Sequence, residues 1–244
     1  SFSSSITGLN ANTTYYARAY ATNSIGTAYG NELSFKTLST LAVLTTNQAA
    51  DITATTAACG GNVGNDGGGA ITARGVVWGT AQNPTIETNA GKTSDGTGTG
   101  SFSSVLNNLN PNTTYYARAY ASNSVGTAYG NEITFKTSTA LAVLTTFSAG
   151  EITSTSALSG GNITTDGGAS VTDRGIVWHV IPNPTLENCM GTSKAGSGTG
   201  NFNAPLIMLS PNITYYVKAY ATNSVGTAYG NEISFKTQSA TASL

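Results

Sequence analysis

This chain has little of what protein chemistry at a site usually needs. Its 244 residues include one histidine, two cysteines, two methionines and two tryptophans. Charged residues make up 9%, against roughly a quarter in ordinary soluble domains. Ten Lys and Arg against eleven Asp and Glu leave a formal net charge of −1. There is thus no basic surface for nucleic acid or an anionic membrane, and neither is expected as a partner. No apolar run approaches the ~18 residues of a spanning helix, so no membrane insertion is expected in this segment. Two cysteines cannot frame a disulfide scaffold. Within each repeat Thr, Gly and Asn stand where a helix would need Ala, Leu, Glu and Lys, which argues against helices.

What the chain does have is repetition. The letters "TYYARAYATNSIGTAYGNE" from Thr14 return as "TYYARAYASNSVGTAYGNE" from Thr114 and "TYYVKAYATNSVGTAYGNE" from Thr214. A shift of 100 residues aligns the whole sequence without a gap: "LAVLTT" at Leu41 meets itself at Leu141, and "RGVVW" at Arg74 meets "RGIVW" at Arg174. Such a period marks a tandem array. It divides the chain into part of a repeat (1–37, expected to hold strands E, F and G), whole repeats at 38–137 and 138–237, and the start of another at 238–244. The first part would lack its own early strands and would lean on further residues or on a partner. Cys59 and Cys189 face Ser159 and Asn89 one period away, so they lie outside the repeated pattern and read as incidental.

Within a repeat, short Thr- and Val-rich alternating runs are separated by Gly, Asn and Asp clusters. In the third copy, strands are expected near 141–146, 156–164, 171–180, 200–208, 214–223 and 227–237, with a short extra one near 185–187. About seven strands in 100 residues predict an all-β chain of tandem two-sheet sandwiches. Linkers such as "KTLSTLAV" contain no Gly or Pro, so neighbouring sandwiches should abut as a rod.

Between Leu109 and Gly126, the positions Leu109, Pro111, Thr113, Tyr115, Ala117, Ala119, Ala121, Asn123 and Gly126 carry a pattern that resembles the fibronectin type III domain. The third copy keeps Leu209, Pro211 and Tyr215, with Ile213 in the threonine place; the first keeps Leu9 and Tyr15 but has Ala11 for the proline. Two features depart from the relatives. Fibronectin modules carry a Trp on strand B, where this chain has "GGNV" and "GGNI", and the immunoglobulin disulfide is missing. The resemblance implies a tyrosine corner at Tyr15, Tyr115 and Tyr215. Alternation then sends Ala117, Ala119 and Ala121 inward, where Trp78 and Trp178 should supply bulk. Gly26, Gly126 and Gly226 should close the F–G hairpin. Outward would stand a stripe of Tyr16, Arg18 and Tyr20, repeated as Tyr116, Arg118 and Tyr120 and as Tyr216, Lys218 and Tyr220, a candidate interaction surface.

Catalytic machinery cannot be assembled once per repeat. His179 has Gly79 as its period mate, so no Ser-His-Asp or Cys-His set recurs. Carboxylates are scattered, with Glu32, Glu132 and Glu232 in one slot of three copies. No catalytic residue, metal site or cofactor is expected. "DGTGTGSF" at Asp95 lacks the Lys and following helix of a phosphate loop and reads as a Gly-rich turn. His179, Cys189 and Met190 gather soft-metal donors in one loop of one copy, which reads as drift. Divergence is uneven: 20 of 24 positions match between 114–137 and 214–237, but only 31 of 60 between 41–100 and 141–200. Contact between repeats or recent duplication would both give that pattern.

The resemblance implies a non-catalytic structural array on a secreted bacterial surface protein: a stalk, fibre or adhesin shaft, extracellular or at the cell surface. The expected partners are neighbouring repeats of the same chain, identical chains in a fibre, and surface glycans or proteins. The alternative is an accessory glycan- or protein-binding module of a secreted carbohydrate-active enzyme or protease.

Overall fold

Four short strands open the chain in the computed structural model, which describes residues 1–240; residues 241–244 of the expected stub at 238–244 lie outside the described residues. These are β1 (Thr14–Ala17), β2 (Tyr20–Thr22), β3 (Thr27–Tyr29) and β4 (Leu33–Lys36), paired β1 with β4 and β2 with β3. The strand E expected at the start of this segment is not formed; residues 1–13 hold no strand. The reason lies in the whole repeats, where β9 (Gly100–Leu106) is held by its ladder to β6 (Ala57–Asn65). Segment 1–37 contains no counterpart of β6. Its apolar side chains are correspondingly open, with Leu33 71% exposed where Ile133 is 3%.

Repeat 38–137 adds β5 (Val43–Thr46), β7 (Ala73–Gly79), β8 (Gly91–Lys92), β10 (Thr114–Ser122), β11 (Thr127–Tyr129) and β12 (Ile133–Lys136). One sheet runs β5-β6-β9; the other runs β8-β7-β10-β11, with β12 also on β10. Repeat 138–237 copies this with β13 (Val143–Thr146), β14 (Ala157–Thr165) and β17 (Gly200–Leu206) in one sheet. The other sheet holds β16 (Gly191–Lys194), β15 (Asp173–His179), β18 (Thr214–Thr222), β19 (Thr227–Tyr229) and β20 (Ile233–Lys236). The described residues are all-β, in tandem sandwiches. The extra strand expected near 185–187 is instead a turn, and the additional strand is β16. The described residues form two compact units: Ser1–Leu109 with Thr114–Thr137, and Asn110–Thr113 with residues 138–240.

The sheets meet over Val63, Val76, Trp78, Phe102, Leu106, Tyr115 and Phe135 in the first unit, all buried. Each such side chain contributes about 1.5–3 kcal/mol by leaving water. Trp78 is 7% exposed and Trp178 is 6%. Each indole lies against a glycine: a Cβ at Gly91 or Gly191 would come within 2.3 Å of it. The thin alanine strip is not filled by bulk along its whole length. At its centre small residues meet: a Cβ on Gly61 would sit 2.6 Å from the Ala119 Cβ, and one on Gly161 would sit 2.7 Å from Ala219. "GGN" on β6 and β14 is therefore a place of close sheet approach, and it leaves no room for the strand-B Trp of fibronectin modules.

Strand G is broken by Gly130. Its Cβ would fall 2.6 Å from Thr46 Oγ1 and 2.8 Å from Thr46 N. The next residue, Asn131, turns its Oδ1 to accept from Thr46 N at 3.0 Å, and Thr46 Oγ1 accepts from Ala119 N at 2.9 Å. Thr146, Asn231 and Ala219 repeat both bonds. The edge of β5 is thus tied to the other sheet through side chains.

One position is strained in a single copy. Met208 has φ +57° and is 92% exposed, where Gly8 (φ +72°) and Asn108 (φ +58°) stand in the other copies. Left-handed backbone costs an ordinary L-residue about 1–2 kcal/mol, and Gly little. Replacing Met208 with Gly should raise the stability of its repeat by about 1 kcal/mol in equilibrium denaturation; a loss of stability would contradict this account of the turn.

Candidate interaction surface and repeat joint

The corner tyrosines sit where the sequence pattern puts them. The hydroxyl of Tyr15 accepts from Asn10 N at 2.8 Å, and that of Tyr215 from Ser210 N at 2.9 Å. Tyr115 is 3% exposed and its ring stacks on Phe135, centroids 5.8 Å apart.

The stripe beside them is largely consumed by the repeat itself. Parity places Tyr116, Arg118 and Tyr120 on the outer face of β10, yet Tyr120 is 5% exposed and Tyr220 fully buried. Neither belongs to an interaction surface in the whole repeats. The cause is a second small core on that face. Gly75 lies opposite Tyr120 and leaves space for its ring; a Cβ there would come within 2.8 Å of it. Val77, on the same face, is fully buried, and the phenol donates to Thr93 O at 2.8 Å. Tyr20 in segment 1–37 remains 66% exposed.

Arg118 is also engaged. Its Nε donates to Gly130 O at 3.1 Å and its guanidinium lies 4.8 Å over the Tyr129 ring. Arg18 does the same with Gly30 O and Tyr29, while Lys218 reaches Asn183 Oδ1 at 3.1 Å. The outward-facing residue left uncommitted is Tyr16, 69% exposed, with its half-buried copies Tyr116 and Tyr216.

The rest of "TAYGNE" holds down the loop after β7. The Tyr129 hydroxyl accepts from Ile86 N at 3.0 Å, and Glu132 Oε2 accepts from Asn83 N. Tyr229 with Leu186 N and Glu232 with Asn183 N reproduce these. The glutamate slot repeated in every copy is therefore a loop anchor where the loop exists.

"NS(I/V)G" does something the periodicity alone did not reveal. Asn123, 8% exposed, donates from Nδ2 to Thr40 O at 2.7 Å and to Asp66 O at 2.8 Å. Its Oδ1 accepts from Val125 N and Gly126 N. Asn223 makes the same set with Ala140 O and Asp166 O. Gly126 and Gly226 close the hairpin at φ +154° and +153° and face the side chains of Leu41 and Leu141. Gly26 has no positive φ, but its carbonyl closes the same loop by accepting from Asn23 N. The hairpin thus grips both the linker and the B–C turn.

That turn grips the preceding E–F turn in its own unit. In the first unit Asn12 Nδ2 donates to Gly68 O at 2.5 Å; in the second, Asn112 Nδ2 donates to Gly168 O at 2.7 Å. Gly68 and Gly168 have φ +75° and +77°, and a Cβ on either would lie 2.4 or 2.5 Å from the Asn Cβ. The signal was present in the sequence as "DGG" and "NT", but polar turn residues spaced 56 apart carry no local pattern.

The Gly-rich stretch at Asp95 is the reverse of an anion cradle. It turns carbonyls inward: Arg74 Nη1 donates to Gly98 O at 3.1 Å and Thr99 O at 2.9 Å, with the guanidinium 5.2 Å over Phe102. His179 Nδ1 accepts from Ile181 N, and the Cys189 thiol faces Leu186 O at 3.8 Å. Among the described residues no three His, Cys, Asp or Glu gather as a metal-holding group. No family model matches the chain, and no curated protein matches it in sequence.

Burial raises the Tyr120 phenol above its ordinary value, with Asp95 and then Tyr129 adding to it; Tyr220 is raised in the same way, burial first and Asp173 next. The folded chain therefore holds these protons more tightly than the unfolded one. That stability is fully present below about pH 10 and is lost as pH rises through the folded-state values. Denaturant midpoints should fall less between neutral pH and about pH 11 in the Tyr120→Phe, Tyr220→Phe variant than in the parent chain. Parallel pH profiles would contradict the burial account.

Proposed function

We propose that the chain is a non-catalytic structural array of fibronectin type III-like repeats, of the kind that spaces or carries other parts of an extracellular surface protein. The observation that carries this reading is where the repeated polar side chains go. Asn123, Asn131, Tyr129 and Glu132, the same in every copy, are each bonded to main chain of their own unit, and so is Arg118. A family of sites held for chemistry would leave some of them aimed at solvent or into a shared cleft. The three-stranded sheet β5-β6-β9 against β8-β7-β10-β11, with corner tyrosines on β10 and β18, supports the fibronectin-like label. A fibre built on the Tyr-Arg-Tyr stripe loses support, because Tyr120 and Arg118 are committed within the repeat. What remains for glycans or proteins is Tyr16, Tyr116 and Tyr216, with Tyr20 in segment 1–37.

A shaft should resist extension one repeat at a time. Pulled by its ends in a force spectrometer, the chain should give two like unfolding events. Each should release roughly 330–360 Å of chain per ~100 residues, less the folded span of the repeat. A single event, or repeats that open together, would contradict an array of independent load-bearing units. Selective binding of the purified chain on a glycan array, lost in the Tyr116→Ser, Tyr216→Ser variant, would favour the accessory-module alternative.

A further inference from the structure

The E–F turn is built in three copies, by the same bonds. Asn12 N donates to Leu38 O at 3.2 Å, Asn112 N to Ser138 O at 3.0 Å and Asn212 N to Gln238 O at 3.1 Å. All three asparagines are left-handed, with φ +52°, +51° and +61°. Their pedestal is also shared: Thr13 N donates to Thr37 Oγ1 at 2.9 Å and Ile213 N to Thr237 Oγ1 at 3.0 Å. Two of the three turns carry an occupant, the Asp-Gly-Gly turn whose second glycine accepts from the asparagine carboxamide. On the third, no described residue accepts from Asn212 Nδ2. Burial follows the occupancy. Ala11, Thr13, Pro111 and Thr113 are half-buried, whereas Pro211 and Ile213 are exposed. The third turn keeps the left-handed asparagine and its main-chain bond, as in the filled ones.

The geometry points to the Asn212 turn as a docking site for the Asp-Gly-Gly turn of a further repeat of this kind, joined after Thr237 by the same linker. This rests on the array reading. The recognised chemistry is narrow: a main-chain carbonyl offered by a left-handed glycine, on a turn with no Cβ at the point of closest approach. Any other residue at that glycine would bring a Cβ to within about 2.5 Å of the asparagine, as at Gly68 and Gly168. Sandwiches that lack the Gly-Gly pair are therefore rejected, and the joint selects repeats of its own kind. Ile213 and Met208 give the third turn a more apolar border than Thr113 and Asn108 give the second. Docking there covers at least the Ile213 side chain, whose counterparts are half-buried in the filled joints.

The test is an extended chain in which a copy of residues 38–137 follows Thr237. NMR of the asparagine side-chain amides is compared with the 244-residue chain. In the shorter chain, the Asn212 amide should resonate apart from those of Asn12 and Asn112; in the extended chain it should shift to join them. The shift should be lost when the appended copy carries Gly68→Val, and Asn212→Gly, which keeps the left-handed backbone but removes the carboxamide, should lower the unfolding midpoint of the appended copy without lowering that of the 244-residue chain. An appended copy that folds, with the Asn212 signal unmoved, overturns the docking site and leaves the array reading standing. If Asn12 and Asn112 already resonate with Asn212 in the shorter chain, the Asn–Gly clasp itself is wrong and the docking site falls with it, while the array reading, carried by other bonds, stands.

Discussion

The Asn123 carboxamide has three hydrogen-bonding roles at once. Its two N–H groups reach Thr40 O in the linker and Asp66 O in the B–C turn, and its oxygen holds the hairpin loop it belongs to. Three segments far apart in sequence are thereby fixed by one side chain that is almost fully out of water. Removing it would leave two main-chain carbonyls without their partner in a partly buried place, which costs more than the net worth of the bonds made. The linker then has one path, the glycine pair at 67 and 68 is pinned, and the Asn12 clasp closes on a turn already in position. Asn223 does the same work with Ala140 and Asp166.

Bonds of this kind constrain the repeated letters more tightly than they do strands β6 to β9. Partners of the repeated letters are mostly main-chain atoms, which stay in place whatever side chains surround them. A substitution in the letters breaks a bond, whereas one in the B–C–E region only has to preserve size and parity. The drift is visible in detail: Val63 and Ile163, Cys59 and Ser159, Val76 and Ile176 fill matching buried places with different residues.

The fold was largely readable from the chain. The 100-residue period, the alternation and the corner motif led to two-sheet sandwiches with inward alanines and buried tryptophans. Two of the misreadings share a source, which is that parity gives direction and not depth. Tyr120 does point away from the main core, but Gly75 beside it and buried Val77 on the same face make that side a core of its own. Parity also implied bulk against the alanines, where Gly61 instead lets the sheets close in. The joint was not legible, because its partners are main-chain carbonyls and turn glycines, and neither leaves a pattern in hydropathy or charge.

The central claim is that the repeated polar letters hold the repeat and its linker together, and do not face a ligand. Asn123→Asp tests it most directly, since the side chain keeps its shape and its acceptor but offers no N–H to Thr40 O or Asp66 O. Equilibrium denaturation of that repeat should show a loss of about 2–4 kcal/mol, while Tyr16→Ser, at a position 69% exposed, should change stability by no more than about 0.5 kcal/mol. Equal stability of the Asn123→Asp variant and the parent chain would contradict the account.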